Sequence, residues 1–259
     1  MPRQARVISE SGIYHIMLRG ANKQEIFHDD EDRYRFLHTL VRYKKEIELS
    51  VFGWCLMGNH VHMLLKEGKE SISDTMRRIG VSYVLFYNDK YLTSGHLFEG
   101  RFRSEPVNSE AYLKTVVRYI HQNPVKAGLV NRVEEWKWSS CRGYYRLERM
   151  PAGLLDPEFV LSFFDEDIHT AVACFKEFNE MSNADKCIDI DDNRRVRISD
   201  EKARELIIAI LGDVTIGQVK SLPKPARDEI LRRAKEIDGI SQRQLARILG
   251  ISPNIIFKA

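Results

Sequence analysis

Two histidines one residue apart, His60 and His62, and a tyrosine four residues before an asparagine, Tyr119 and Asn123, are the side chains here best suited to phosphate chemistry. In a strand, residues i and i+2 project from one face, so the two imidazoles of HVHMLLK would stand side by side with Val61 turned to the core. Imidazoles so placed can share one divalent cation; two histidines alternating in an ordinary surface or core strand would have the same spacing. On a helix, Tyr119 and Asn123 share a face about one turn apart, and a phenol and an amide oxygen there could both reach a metal-bound phosphate. A tyrosine hydroxyl ordinarily titrates near about 10 and is a poor nucleophile alone. A neighbouring cation lowers the cost of phenolate and draws charge from the phosphate oxygens. Attack on phosphorus would then leave a 5′-phosphotyrosine link and a free 3′-hydroxyl, keeping the bond energy for rejoining. Two bland alternatives stand beside this. Pro124 opposes helical geometry at Asn123 and makes it an equally good cap for a new helix, and Tyr119 could be one of several aromatics covering a sheet. His121 lies about 200° round the helix from Tyr119 and is set aside as a ligand.

The elements that must position these groups follow from the spacing of apolar residues. Ile13–Arg19 is a β-rich run ending at Gly20, and Asp30–Glu48 has helical spacing with acidic residues at its start. Ser50–Met57 and His60–Lys66 form two strands around a tight Gly58-Asn59 turn, an antiparallel hairpin. Ser71–Tyr91 is a long helix, Phe102–Val107 a strand, and Ser109–Gln122 a further helix. The order β-α-β-β-α-β-α predicts an α+β fold: a ferredoxin-like antiparallel sheet with helices on one face, followed by an all-α C-terminal region. Beyond Tyr145 the chain predicts helices over Pro157–Phe164 and Ile168–Met181, then a polar linker, IDIDDNRR.

The chain has 259 residues, 43% of them hydrophobic, which allows a buried core and one large domain or a medium one with a small companion. Lys and Arg number 40 against 37 Asp and Glu, a formal charge of +3 that permits nucleic-acid binding without requiring it. The basicity is local: Lys224–Ala259 carries eight Lys and Arg against four Asp and Glu. Cys55, Cys141, Cys174 and Cys187 show no CxxC spacing, which argues against a zinc ribbon or a disulfide framework. With no signal-like start and no run of about 18 apolar residues, the expectation is a cytoplasmic, nucleoid-associated protein with reduced thiols and no membrane partner.

Four motifs, YHIMLRGANKQEIF, CLMGNHVHMLL, GHLFEGRFRS and YIHQNPVKAGLV, together resemble the REP-associated tyrosine transposases, relatives of the single-tyrosine HUH (IS200-like) transposases. The resemblance covers roughly Ile13 to Tyr145, in order. It implies a ferredoxin-like catalytic domain that needs Mg²⁺ or Mn²⁺ and cuts and rejoins single-stranded DNA near hairpins. By position His60 and His62 would be the metal ligands, Asn123 a third, amide ligand, and Tyr119 the nucleophile. Two imidazoles in an otherwise oxygen-rich, partly open site suit these cations, manganese better than magnesium. Arg101 and Arg103, two apart at a strand start, and Arg19, with Lys23 beyond Gly20, could hold phosphates beside the metal. Phe98 and Phe102 could stack on unpaired bases; core packing explains them as well.

The C-terminal ISQRQLARILGIS has the helix, glycine turn and Ser-led continuation of a helix-turn-helix, with Ser241 as cap and Leu245, Ile248 and Leu249 buried. It resembles the helix-turn-helix of the replication initiator DnaA, which makes Arg243 and Arg247 candidate DNA contacts. A plain helical hairpin would show the same pattern. The expected organisation is a catalytic domain over 1–146, a helical extension and linker over 147–199, and a helical region over 200–259. The function expected is that of a metal-dependent endonuclease and strand transferase on single-stranded or hairpin DNA, acting singly or as a homodimer. A second reading is a catalytically silent transposase relative that regulates by binding DNA; a third, ranked lower, is a rolling-circle initiator or relaxase.

Overall fold

A computed structural model describes residues 6–147, 151–185, 187–188, 200–237 and 239–258. The chain divides into two units, Met1–Asp189 and Ile190–Ala259.

The first unit is built on four strands, β1 (Ile13–Arg19), β2 (Ser50–Leu56), β3 (His60–Lys66) and β4 (Arg103–Pro106). They form one antiparallel sheet in the order β2-β3-β1-β4. With α1 (Asp30–Ile47) and α2 (Ile72–Lys90) as the two crossovers, this is the ferredoxin-like arrangement expected. The helices begin where the sequence supplies caps. The Asp29 carboxylate accepts from the Asp32 amide at 3.0 Å, and Ser71 and Ser109 each accept from the amide three residues on, both at 3.2 Å. Every residue of β3 but Lys66 is buried, so both faces of the sheet are covered.

The loop after β1 is tied to the tip of the β2–β3 hairpin, which fixes where His60 begins. The Gly20 amide donates to the Asn59 carbonyl at 2.9 Å, and the Ile26 and Phe27 amides both donate to the Gly58 carbonyl, at 2.9 and 3.1 Å. Gly20 is glycine for steric reasons: a Cβ there would stand 2.1 Å from the Gln24 carbonyl oxygen.

Helix α3 (Glu110–Lys126) runs four residues past the end expected at Gln122. Pro124 withholds one amide from the ladder, yet the next turn closes normally, with the Ala127 amide on the Asn123 carbonyl at 3.0 Å. Asn123 is therefore a helical residue and not a cap. Tyr119, Asn123 and Lys126 share one continuous helix.

The residues after 147 do not stand apart from the first unit. The Asp156 carboxylate accepts from the Val51 amide at 2.9 Å and pairs with Lys44. Besides the short α4 (Cys141–Tyr144), two helices follow, α5 (Pro157–Leu161) and α6 (Ile168–Glu180). The end of α6 is bound to α3: Gln122 Nε2 donates to the carbonyls of Asn179 and Met181 at 2.8 and 3.0 Å, and Arg118 forms a half-buried pair with Asp185 at 2.7 Å. Of the expected linker IDIDDNRR, residues 189–195 lie outside the described residues.

The second unit is helical, with α7 (Asp200–Leu211), a 3-10 turn over Ile216–Ser221, α8 (Lys224–Lys235), α9 (Gln242–Leu249) and α10 (Pro253–Lys258). Its core holds Ile207, Leu231, Leu245, Ile248, Leu249 and Ile256. Ser241 caps α9 through the Gln244 amide at 3.1 Å, and Gly250 ends it at φ 63°, a left-handed conformation that glycine adopts without strain. Helix α9, the glycine turn and the short helix α10 follow one another in the chain.

Candidate active site

Strand alternation sets the site. Directly opposed residues of an antiparallel pair share a face, so Cys55, His62, Met17 and Arg103 form one row across the sheet, and Arg19 stands opposite His60. The α3 helix lies over this face. The Tyr119 ring centroid is 5.6 Å from that of His62, and the His60 and His62 rings meet nearly at right angles with centroids 5.1 Å apart. The separate hairpin and helix signals therefore converge: His60, His62, Tyr119 and Asn123 occupy one place in one chain.

The hydrogen bonds sort the imidazole nitrogens. Asn59 Nδ2 donates to the Lys23 carbonyl at 3.4 Å, which turns its Oδ1 to His60 Nδ1 at 2.7 Å. An amide oxygen only accepts, and the shorter of the two contacts favours the proton on His60 Nδ1, with the lone pair of the neutral ring on Nε2. That Nε2 faces Asn123 Oδ1 at 3.3 Å. That contact is satisfied either by a proton on Nε2 or by a cation lying beside both atoms. His60 and Asn123 could both serve as ligands of one divalent cation. His62 Nε2 is buried and has no hydrogen-bond partner among the described residues. Two imidazole lone pairs and an amide oxygen thus fit a divalent ion that keeps open positions for other ligands. Among the described residues no group of three or more His, Cys, Asp or Glu side chains could hold a metal.

Burial, reinforced by the neighbouring His15 and His60, pushes the His62 pKa well below its ordinary value. The ring is neutral at physiological pH, the form that metal ligation would require. Tyr119 is 3% exposed, its ring flanked by His15 and His62 and, from the same helix, by Lys126, whose Nζ is 5.0 Å from the ring centroid.

The arginines are distributed unevenly. Arg19 is half-buried beside His60, and its Nε is buried without a hydrogen-bond partner among the described residues. Arg103 is exposed on the histidine face. Strand β4 begins at Arg103, one residue later than expected, so alternation does not govern Arg101, which is exposed in the preceding bend. Phe102 is covered by the Arg6 guanidinium at 3.7 Å, and burial together with the nearby Arg101 lowers the Arg6 pKa. Phe98 packs against Tyr83, with ring centroids 6.3 Å apart. In the second unit Arg243 is exposed, while Arg247 is held by Asp200 at 2.6 Å.

Sequence reading did not single out His15, Asn59, Lys126 or Arg6. A signal for the first existed: a lone histidine in the apolar run IYHIMLR. His121 points away from the site, buried between Ser140 Oγ at 2.8 Å and Asn179 Oδ1 at 3.1 Å.

Residues 9–123 match the family model of IS200-like transposases. A REP-associated tyrosine transposase from Escherichia coli (strain K12) is 25% identical over 118 residues, which cover 43% of this chain and 68% of that protein. A solved structure of a REP-associated tyrosine transposase bound to a REP hairpin is 19% identical with a TM-score of 0.49, covering 65% of this chain and 93% of the other. The motifs and the family model agree on the same segment: residues 9–123 of this chain are similar to the IS200-like transposases, and the chain resembles the REP-associated tyrosine transposases.

Proposed function

We propose that this chain is a metal-dependent tyrosine endonuclease and strand transferase acting on single-stranded DNA beside hairpins. The observation that carries the reading is the meeting of His60 Nε2, His62 Nε2, Asn123 Oδ1 and the Tyr119 ring on one face of the sheet. His60, His62 and Asn123 would hold Mg²⁺ or Mn²⁺. When bound, the ion supplies positive charge to the phosphate oxygens and to the nascent phenolate. Tyr119 Oη attacks phosphorus as the P–O3′ bond breaks; the phenol proton is lost to solvent, and the departing 3′ oxygen takes one up. The 5′-phosphate remains on Tyr119 until a 3′-hydroxyl attacks it and restores the tyrosine. Lys126 adds charge beside the phenol. The buried, unpartnered Nε of Arg19 suits a phosphate oxygen lying against His60, and Arg103 extends the same face. One chain supplies all these groups, so the proposed chemistry requires no second copy.

The resemblance to the REP-associated tyrosine transposases makes hairpin repeats the substrate class to try first. With Mn²⁺ and a set of labelled single-stranded hairpin oligonucleotides, the protein is expected to nick one strand and to run with DNA attached on a denaturing gel. Intact substrate and no adduct across the set would overturn the reading.

One observation favours the second reading, a silent DNA-binding regulator: Tyr119 is 3% exposed. Attack therefore requires the C-terminal half of α3 to uncover the phenol when DNA enters. A protein that never does so would bind without cutting.

The second unit is proposed as an auxiliary DNA-binding element, through Arg243 on α9 and the basic surface around it; Arg247 would have to release Asp200 to take part. Removing a cation that neutralises one phosphate lowers the slope of log K against log salt by about 0.7 to 0.9. Arg243→Ala is expected to flatten the slope by that amount in a binding titration at several salt concentrations. An unchanged slope would remove Arg243 from the DNA path.

A further inference from the structure

His15 lies on β1 one step diagonally from His62, fully buried on the same face, with its Nε2 3.0 Å from His62 Nδ1. One of these two nitrogens must donate and the other accept. If His15 donated, the His62 proton would sit on Nε2, the nitrogen turned to the metal site, and the ring could not ligate. If His15 accepts, the His62 proton sits on Nδ1 and the lone pair is presented on Nε2. The second arrangement repeats what Asn59 does for His60. Both imidazoles then have a dedicated acceptor behind them and a lone pair in front. The two partners differ in kind. An amide oxygen can only accept, whereas an imidazole can present either a proton or a lone pair, so the His62 tautomer depends on where the His15 proton lies. Among the described residues, His15 Nδ1 is buried without a hydrogen-bond partner, and so is His62 Nε2. In the free protein each arrangement therefore leaves one N–H unpaired; a cation on His62 Nε2 removes the balance between them.

We infer that His15 is a positioning residue for the metal site, acting through His62 by accepting its Nδ1 proton and holding Nε2 free for a divalent cation. The inference rests on the reading of His60, His62 and Asn123 as ligands. Partners of this kind behind a ligating histidine typically contribute about 10- to 100-fold to metal affinity.

The test separates tautomer from metal. Long-range proton–nitrogen NMR on the ¹⁵N-histidine-labelled full chain without metal reports which ring nitrogen of His62 is protonated; the expected answer is predominantly Nδ1. Titration with Mn²⁺ alone, followed by electron paramagnetic resonance, gives the affinity. His15→Phe, which keeps the ring volume and removes the acceptor, is expected to weaken Mn²⁺ binding about 10- to 100-fold. His15→Gln, which returns an amide oxygen near the position of Nε2, should recover most of it. A His62 proton found predominantly on Nε2, or wild-type affinity in H15F, would overturn the inference. Should H15F fail to fold, the wild-type tautomer and the affinity of H15Q decide, with H15Q falling well below wild type counting against it. Failure of the underlying reading has a different signature: Mn²⁺ affinity that His60→Ala leaves untouched. In that event the tautomer measurement alone still judges His15.

Discussion

Replacing Tyr119 by phenylalanine is expected to reduce the covalent DNA adduct at least about 1,000-fold while leaving DNA affinity nearly unchanged. The size follows from the role assigned. A nucleophile is not one contributor among several; without its oxygen no bond to phosphorus forms, and what survives is the slow attack of water. The substitution is also structurally mild. Phenylalanine fills the same space between His15, His62 and the Lys126 ammonium. Only the hydroxyl is removed, with an effect on stability of about 1 kcal/mol or less. A loss of adduct can then be separated from a loss of fold by urea unfolding of the same preparation. The comparison with His62→Ala is informative. That variant should lose adduct and metal affinity together, whereas Y119F should lose adduct alone. If Y119F nicks hairpin DNA as fast as the wild type, another nucleophile is at work and Tyr119 is a packing residue. If the wild type forms no adduct and Y119F binds DNA identically, the silent regulator is the correct reading.

What could be read from the sequence divides along a physical line. Properties set by position within one element were legible. Strand alternation placed His60 and His62 together, and helix periodicity placed Tyr119 over Asn123. Properties set by the register between elements were not. His15 is 47 residues from His62, and the two meet only because β1 pairs with β3 as Met17 opposite His62 and His15 opposite Leu64. A shift of one residue would have turned His15 to the other face. Lys126 was hidden by a local rule that tertiary packing overrode. Pro124 argued for an end to α3, but the buried ring is accommodated and the helix carries Lys126 back to the Tyr119 ring. The C-terminal extension illustrates the same limit: α6 was readable as a helix from its apolar spacing, while its attachment to the back of α3 depends on contacts of Gln122 and His121 with Asn179.

The histidines buried on either side of α3 make the first unit's stability depend on pH. His121 and His15 are both fully buried, and burial lowers the pKa of each to about 3. In the unfolded chain both titrate near about 6.5. Below that value the unfolded chain takes up protons that the folded chain refuses, so stability is complete above about pH 6.5 and falls as pH drops towards about 3. Each group contributes about 1.4 kcal/mol per pH unit in that window. Between about pH 6.5 and 4.5 the two together remove about 5 kcal/mol, comparable with the whole stability of many domains. His62, whose pKa is also lowered, adds in the same direction. The first unit is therefore expected to unfold in acid before its carboxylates titrate. Urea unfolding at pH 7, 6 and 5 would show a falling midpoint, and His121→Gln, which cannot take up the proton, should make that fall shallower by close to one proton's worth. A midpoint constant from pH 7 to 5 would mean that these imidazoles reach solvent, and the closed packing of α3 on the histidine face would have to be abandoned with it.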